Sequence, residues 1–272
     1  MVATRSRSTA FKNALIRGFV RLYDPDLSDA EQPSATEYES FNAFFTRALR
    51  PGARPAPQDP IAIASPVDGT ISEIGRIDSN RLLQAKGHDY TLDALLAGRS
   101  EWISRFHGGY FATIYLAPYN YHRIHMATAG QLREAWYVPG RLFSVNAGTA
   151  ALVPGLFARN ERVVLTFADD SLSHAIVLVG ALNVGCIETV WHGVVSPCAQ
   201  RVPAALTLPR PARSIAAVRG DELGRFNMGS TVILLFPRQA IDWAPNLRAG
   251  MRVRVGQSLG RQSISVAAAG RT

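Results

Sequence analysis

Lysine is nearly absent from this 272-residue chain: Lys12 and Lys86 are the only two, so almost all the positive charge behind its net +8 is arginine. Cysteine is equally sparse. Cys186 and Cys198 are too few for a disulfide scaffold, and a reducing cytoplasmic setting is the expectation. Long apolar runs are missing too. Ala175–Leu182, interrupted by Gly180, and Val232–Phe236 fall far short of the roughly 20 residues that cross a bilayer as a helix. Acids are lacking at both ends: Met1–Tyr23 holds Arg5, Arg7, Lys12, Arg17 and Arg21, and the last 25 residues hold Arg248, Arg252, Arg254, Arg261 and Arg271. Between them the sign reverses at Asp24, Asp26, Asp29, Glu31, Glu37 and Glu39, so the basic excess is local. That distribution does not describe a nucleic-acid footprint and fits an anionic membrane surface better.

What is present is a globular composition, 47% hydrophobic and 18% charged, in which burial can outweigh chain entropy. Phe11, Leu15, Phe19 and Leu22 fall on one helical stripe flanked by Lys12, Arg17 and Arg21, which predicts an amphipathic basic helix lying on a membrane or packing on the body. Phe41–Leu49 is a second short helix, closed by Pro51-Gly52 and a proline-rich stretch through Pro60. Beyond it, short apolar runs broken by Gly, Pro and Asn predict strands at 61–64, 71–77, 110–116, 132–138, 162–167, 175–182, 185–190, 231–236 and 251–255. Leu92–Ala97 reads as the one short helix among them. The fold expected is α+β: a helical, membrane-associating region over residues 1–55 and a β-rich catalytic body over 56–272.

Several clusters carry chemistry. Ser65-Pro66-Val67-Asp68-Gly69-Thr70 sets a carboxylate in a turn between strands. Tyr121-His122-Arg123-Ile124-His125 holds two histidines three apart, with no Glu or Cys nearby to complete a metal set, so proton transfer is the better use. Met228-Gly229-Ser230-Thr231 runs into an apolar strand, where the glycine lets the backbone approach closely and the hydroxyl is expected to stand exposed on a rigid support. A serine hydroxyl is a weak nucleophile until a base takes its proton, and an imidazole base needs its tautomer fixed. Asp68, His125 and Ser230 supply those groups. A serine hydrolase acting on an external acyl substrate, or a non-enzymatic β-sandwich binding module, remains open on these residues alone.

The motifs taken together narrow this. Phe44-Phe45-Thr46-Arg47-Ala48-Leu49-Arg50-Pro51-Gly52-Ala53-Arg54-Pro55, Ser65–Gly69, Tyr121–Met126, Leu142-Phe143-Ser144-Val145-Asn146, Asn160–Val163 and Met228–Thr231 resemble phosphatidylserine decarboxylases, in family order from about Leu15 to Leu259. The chain departs from the family pattern at Met228, where leucine is usual, and at Ala127, where proline often follows the methionine. The resemblance implies a zymogen that cuts itself between Gly229 and Ser230, with His125 as base and Asp68 behind it. It would yield a β chain, Met1–Gly229, and an α chain, Ser230–Thr272, and would convert Ser230 to a covalent pyruvoyl cofactor with no metal. It further implies that phosphatidylserine forms a Schiff base with that group and leaves as phosphatidylethanolamine, with His122 returning the proton. Implied partners are an anionic membrane carrying the substrate and the two chains of one precursor, with room for a homodimer and no nucleic acid. The implied location is peripheral, on the cytoplasmic face of a bacterial cell membrane. Ser65–Thr70 and Val255–Gly260 also resemble the strand corners of biotinyl and lipoyl carrier domains, which implies barrel-sandwich-like strands in the body.

Overall fold

The apolar run at Val232–Phe236 lies at the centre of the structure, a computed structural model that describes residues 8–169, 171–182, 186–195, 202–208, 216–227 and 230–263. Met1–Arg7, Cys198, Met228, Gly229 and Arg271, named above, lie outside the described residues. The central strand is buried at every position. Successive strand side chains point to opposite faces, so a strand with no exposed position needs cover on both. Val232, Leu234 and Phe236 enter one core, and Ile233 and Leu235 enter another.

The strands used below are named in chain order: β1 (Ala62–Ala64), β2 (Gly69–Arg76), β3 (Tyr110–Leu116), β4 (Arg123–His125), β5 (Gly130–Val138), β6 (Arg162–Ala168), β7 (Ser173–Val179), β8 (Ile187–Thr189), β9 (Glu222–Phe226), β10 (Ser230–Phe236), β11 (Ile241–Trp243) and β12 (Ser258–Gln262). A nine-stranded sheet runs β5, β6, β7, β10, β3, β2 through its middle, each neighbour antiparallel. Two small sheets, one containing β8, β9 and β4 and the other β1, β12 and β11, contribute Ile63, Ile124, Ile187, Leu223, Phe226, Ile241 and Leu259 to the core of Val232. Residues from short helices, among them Leu92, Leu95, Trp102, Phe106, Leu156 and Phe157, share the core of Ile233. The layers are therefore small sheets, large sheet and helices.

At the N-terminus, helix α1 (Thr9–Tyr23) meets helix α2 (Phe41–Phe45) in a separate cluster of Ile16, Phe19, Phe41, Phe44 and Phe45. The expected stripe on α1 is corrected here. Its buried residues are Lys12, Ile16 and Phe19, whereas Phe11 is 46% and Leu22 73% exposed. Lys12 joins the buried face because its aliphatic stem packs while its ammonium donates to the Thr36 carbonyl. The β-rich body and its main strands match the sequence reading to within a few residues. Three further helices, Ser100–Phe106, Ala147–Ala150 and Leu156–Arg159, were not legible because four to seven residues give too few turns for a periodic signal.

Candidate functional site

The site gathers where two breaks in the strands face each other. The loop 117–122 joins β3 to β4 and is folded tightly by Asn120, whose side-chain oxygen accepts the Ala117 N–H at 2.8 Å. Opposite it, β9 ends and β10 begins. Phe226, the last residue of β9, donates its N–H to the His122 carbonyl at 3.0 Å, and Ser230, the first of β10, stands in register with Leu116. Phe226 and Ser230 are thus held at the two ends of the loop that carries His122. Strand alternation puts Ser230 on the face of Val232 and Leu234, toward the sheet containing β4 and β9. The Ser230 hydroxyl is fully buried, not exposed as its glycine-led turn suggested, because both faces of the central strand are covered, and it has no hydrogen-bond partner among the described residues.

Asn227 is anchored from three sides. Its amide donates to Cys186 Sγ at 2.9 Å, its carbonyl oxygen accepts from Asn42 Nδ2 at 2.9 Å, and it borders Glu188, which Arg225 grips through both oxygens at 2.6 and 3.0 Å. Asn227 is therefore fixed by the small sheet and by α2.

The two histidines differ. His122 is fully buried, its ring stacked on Phe45 with centroids 4.1 Å apart. Its Nε2 donates to the Ala117 carbonyl at 3.1 Å, so Nδ1 carries the lone pair, and Nδ1 has no partner. Burial, followed by the charge of Arg47, pulls its pKa down to about 3, so the ring is neutral. In His125, Nδ1 donates to the Gly220 carbonyl at 2.8 Å, which leaves Nε2 to accept the Tyr121 hydroxyl at 2.9 Å. Burial lowers the His125 pKa as well, giving an imidazole able to take a proton at Nε2.

Asp68 sits at the corner between β1 and β2, and its carboxylate does not bond its own turn. It accepts Arg54 Nε at 3.1 Å and Nη2 at 2.7 Å, and the Val255 N–H at 2.8 Å. Arg54 also holds Asp29 at 2.7 Å. The corner is locked by Gly69, where an added Cβ would fall 2.5 Å from the Tyr115 carbonyl oxygen. The same corner reaches β4, because Pro66 accepts the His125 N–H at 2.8 Å. Among the described residues Asp68 and His125 share no hydrogen bond; the His125 tautomer is fixed by the Gly220 carbonyl, and the charge of Glu222, and after it that of Asp68, favours protonation of the ring against its burial. Asp68 and Tyr121 line a cavity of about 480 Å³ together with Arg47, Arg54 and Tyr119.

A buried hydroxyl and imidazoles whose pKa burial lowers are groups that acyl transfer within the chain or proton movement can use; among the described residues no hydrogen bond joins Ser230 to His122 or His125. Comparison with known proteins decides the family. The profile of phosphatidylserine decarboxylase matches residues 41–261. The chain is 50% identical over 253 residues to the phosphatidylserine decarboxylase proenzyme of Ectopseudomonas mendocina (strain ymp), covering 93% of this chain and 88% of that protein. Against the proenzyme of Marinobacter nauticus it is 47% identical over 263 residues, 97% and 91% of the two chains. The chain belongs to the phosphatidylserine decarboxylase family. For this decarboxylase-family chain, the residues that sequence reasoning missed are Tyr121, Arg54, Phe45 and the Asn42–Asn227 pair. Arg54, Phe45 and Tyr121 lie inside the quoted motifs, but no spacing rule links an arginine to a carboxylate 14 positions on, and the link between Asn42 and Asn227 exists only in the fold.

Proposed function

We propose that the chain cuts itself between Gly229 and Ser230, forms a pyruvoyl group from Ser230, and decarboxylates phosphatidylserine to phosphatidylethanolamine. The observation that carries this reading is the Ser230 hydroxyl, buried without a partner among the described residues at the mouth of β10, beside the loop bearing His122 and on the face turned toward the small sheet that holds β4. The proenzyme names of the relatives point the same way.

In this reading His125 Nε2, giving up its hydrogen bond from the Tyr121 hydroxyl, takes the Ser230 proton as Oγ attacks the Gly229 carbonyl carbon. The C–O bond forms, the C–N bond breaks, and the proton passes to the freed amine, leaving an ester. Asp68 assists by charge, since a carboxylate nearby stabilises the imidazolium formed in that step. Elimination then removes the α-proton of residue 230 and releases the ester's carboxylate half as the end of the 1–229 chain, and one water adds to the imine form of the resulting dehydroalanine as ammonia leaves, which supplies the ketone oxygen of the pyruvoyl end on the 230–272 chain. The fully buried setting of Ser230 fits such a group, because water is excluded around it. Formed there from Ser230, a pyruvoyl group would supply a carbonyl to hold the substrate amine and a sink for the electron pair left on the substrate carbon when carbon dioxide departs. His122 returns a proton to carbon, and with the ring neutral that proton is the one held on Nε2. Phe45, stacked on His122, keeps water from it.

The remaining assignments belong to the same proposal: residues 1–55 as a membrane-associating region, 56–272 as a catalytic body with barrel-sandwich-like strands, and a peripheral position on the cytoplasmic membrane face. Exposed Phe11 and Leu22 on α1, with Arg17 and Arg21, support the first. No helix among the described residues is long and apolar enough to cross a membrane. Intact-mass measurement of active protein tests the central step. Two fragments are expected, the smaller lacking an ammonia relative to a Ser-ended peptide and sensitive to carbonyl-trapping reagents, and Ser230→Ala should stay whole and inactive. A single unbroken chain with full activity would end the proposal. Replacing His122 by Asn should preserve cleavage and slow product formation, and removing 1–23 should weaken liposome flotation.

A further inference from the structure

Arg47 stands out from the other arginines around the cavity. It is 3% exposed, and only Nη2 is engaged, by the Tyr119 carbonyl at 3.1 Å and the Asp26 carbonyl at 3.5 Å. Its Nε and Nη1 have no hydrogen-bond partner, and among the described residues Arg47 forms no ion pair. Arg54, on the same cavity wall, is neutralised by Asp29 and Asp68, and Arg254 stands 4.0 Å from Asp26. Burial pushes the Arg47 pKa down, as a guanidinium removed from water without a counter-ion requires. Such a group is costly to keep in a fold, and a cationic side chain in a cavity wall is satisfied when an anion binds.

The surroundings indicate which anion. Arg47 follows Phe45 by two residues, Phe45 stacks on His122, and the Arg47 charge acts on the His122 ring. The guanidinium is therefore beside the reacting region. Tyr23 and Asp24, at the end of α1, line the same cavity, so its mouth lies at the end of the helix that exposes Leu22. Resting on the decarboxylase reading, we infer that Arg47 receives the phosphodiester of the phosphatidylserine headgroup and sets the enzyme's requirement for a phospholipid over free serine. The carboxylate of the headgroup is the other anion available, and physical chemistry argues against it. Decarboxylation disperses the carboxylate charge, so a cation paired with it stabilises the ground state more than the transition state and slows the step. The phosphodiester keeps its charge throughout, and a cation on it strengthens binding evenly. Guanidinium is suited to that role through paired N–H donors that match phosphate oxygens.

The test uses the full-length Ser230→Ala chain, which holds the cavity in one uncut polypeptide, with binding read by calorimetry. Glycerophosphoserine and glycerophosphocholine should both bind, L-serine and inorganic phosphate should bind far less, and Arg47→Gln should weaken the first two by about tenfold or more, with Arg47→Lys intermediate. In processed enzyme quantified by intact mass, Arg47→Gln should raise KM for short-chain phosphatidylserine by a similar factor with a much smaller change in kcat. Equal binding with and without the guanidinium, serine binding as tightly as glycerophosphoserine, or a loss confined to kcat would each overturn the assignment. If Arg47→Gln fails to fold, the ligand series on the Arg47-containing chain decides alone, because a phosphodiester site binds glycerophosphocholine and a carboxylate site does not. Phosphodiester binding by the Ser230→Ala chain, together with a Ser230-containing chain that neither cuts itself nor releases carbon dioxide, would keep the Arg47 site and refute the decarboxylase reading.

Discussion

His174 offers a stability test that is independent of the chemistry. Its ring is fully buried, stacked on Phe167 with centroids 5.0 Å apart and facing Phe236 at 6.0 Å, and neither nitrogen has a partner. Burial lowers its pKa from 6.5 to about 4, with Asp169 opposing weakly. The unfolded chain therefore takes up the proton before the folded one does. The stability this residue permits is complete above the unfolded pKa and is lost as pH falls toward the folded value. Between pH 7 and pH 5 the loss from this one ring is about 2 kcal/mol, at 1.36 kcal/mol per pH unit. Replacing His174 by Phe keeps a stacked ring and removes the titration. Denaturant unfolding in the uncut Ser230→Ala background, where one chain unfolds as one species, should show the variant gaining about 2 kcal/mol relative to its parent on going from pH 7 to pH 5. The added ring volume near Gly130 affects both pH values equally and cancels in that difference. A gap between parent and variant that is the same at both pH values would refute the reasoning.

Other substitutions probe the site's supports. Arg54→Ala leaves Asp68 and Asp29 without their shared cation at side-chain exposures of 11% and 29%; a loss of about 3 kcal/mol and slowed self-cleavage are expected, read by unfolding and intact mass, with partial recovery in Arg54→Lys. Phe45→Ala empties a ring site that is 1% exposed and should lower stability by about 3 to 5 kcal/mol, with His122 losing its cover; an unchanged melting temperature would count against this packing. Gly69→Ala drives a methyl to 2.5 Å from the Tyr115 carbonyl oxygen and 2.9 Å from Ile114 Cγ2, so the corner bearing Asp68 must shift. Destabilisation of about 1 to 3 kcal/mol and impaired cleavage are expected, and normal processing would show that the corner tolerates movement.

The main strands were legible because their apolar residues recur in short runs between Gly, Pro and Asn, a pattern set by local chemistry. That the run Val232–Phe236 is buried on both faces came only from the structure, in the two cores around β10. Helix α1 was legible as a helix but not in its buried face, since Lys12 and Phe11 exchange their expected places once Thr36 and the phenylalanines of α2 are present. The motif residues Asp68, His122, His125 and Ser230 could be read as acid, imidazoles and hydroxyl from their types. Their partners could not. A hydrogen bond is decided by which groups approach within about 3 Å, and that depends on chain segments far apart in sequence.

The order of residues thus determined the strand segments, the amphipathic start, the family and the chemical types available at the site. Only the tertiary structure decided that Arg54 clamps Asp68, that Gly220 and Tyr121 take the two nitrogens of His125, and that Phe45 seals His122. It alone left Arg47 buried with two nitrogens unpartnered among the described residues. The reason is physical: propensity and periodicity act over neighbouring residues, whereas desolvation and hydrogen-bond satisfaction are properties of the assembled interior.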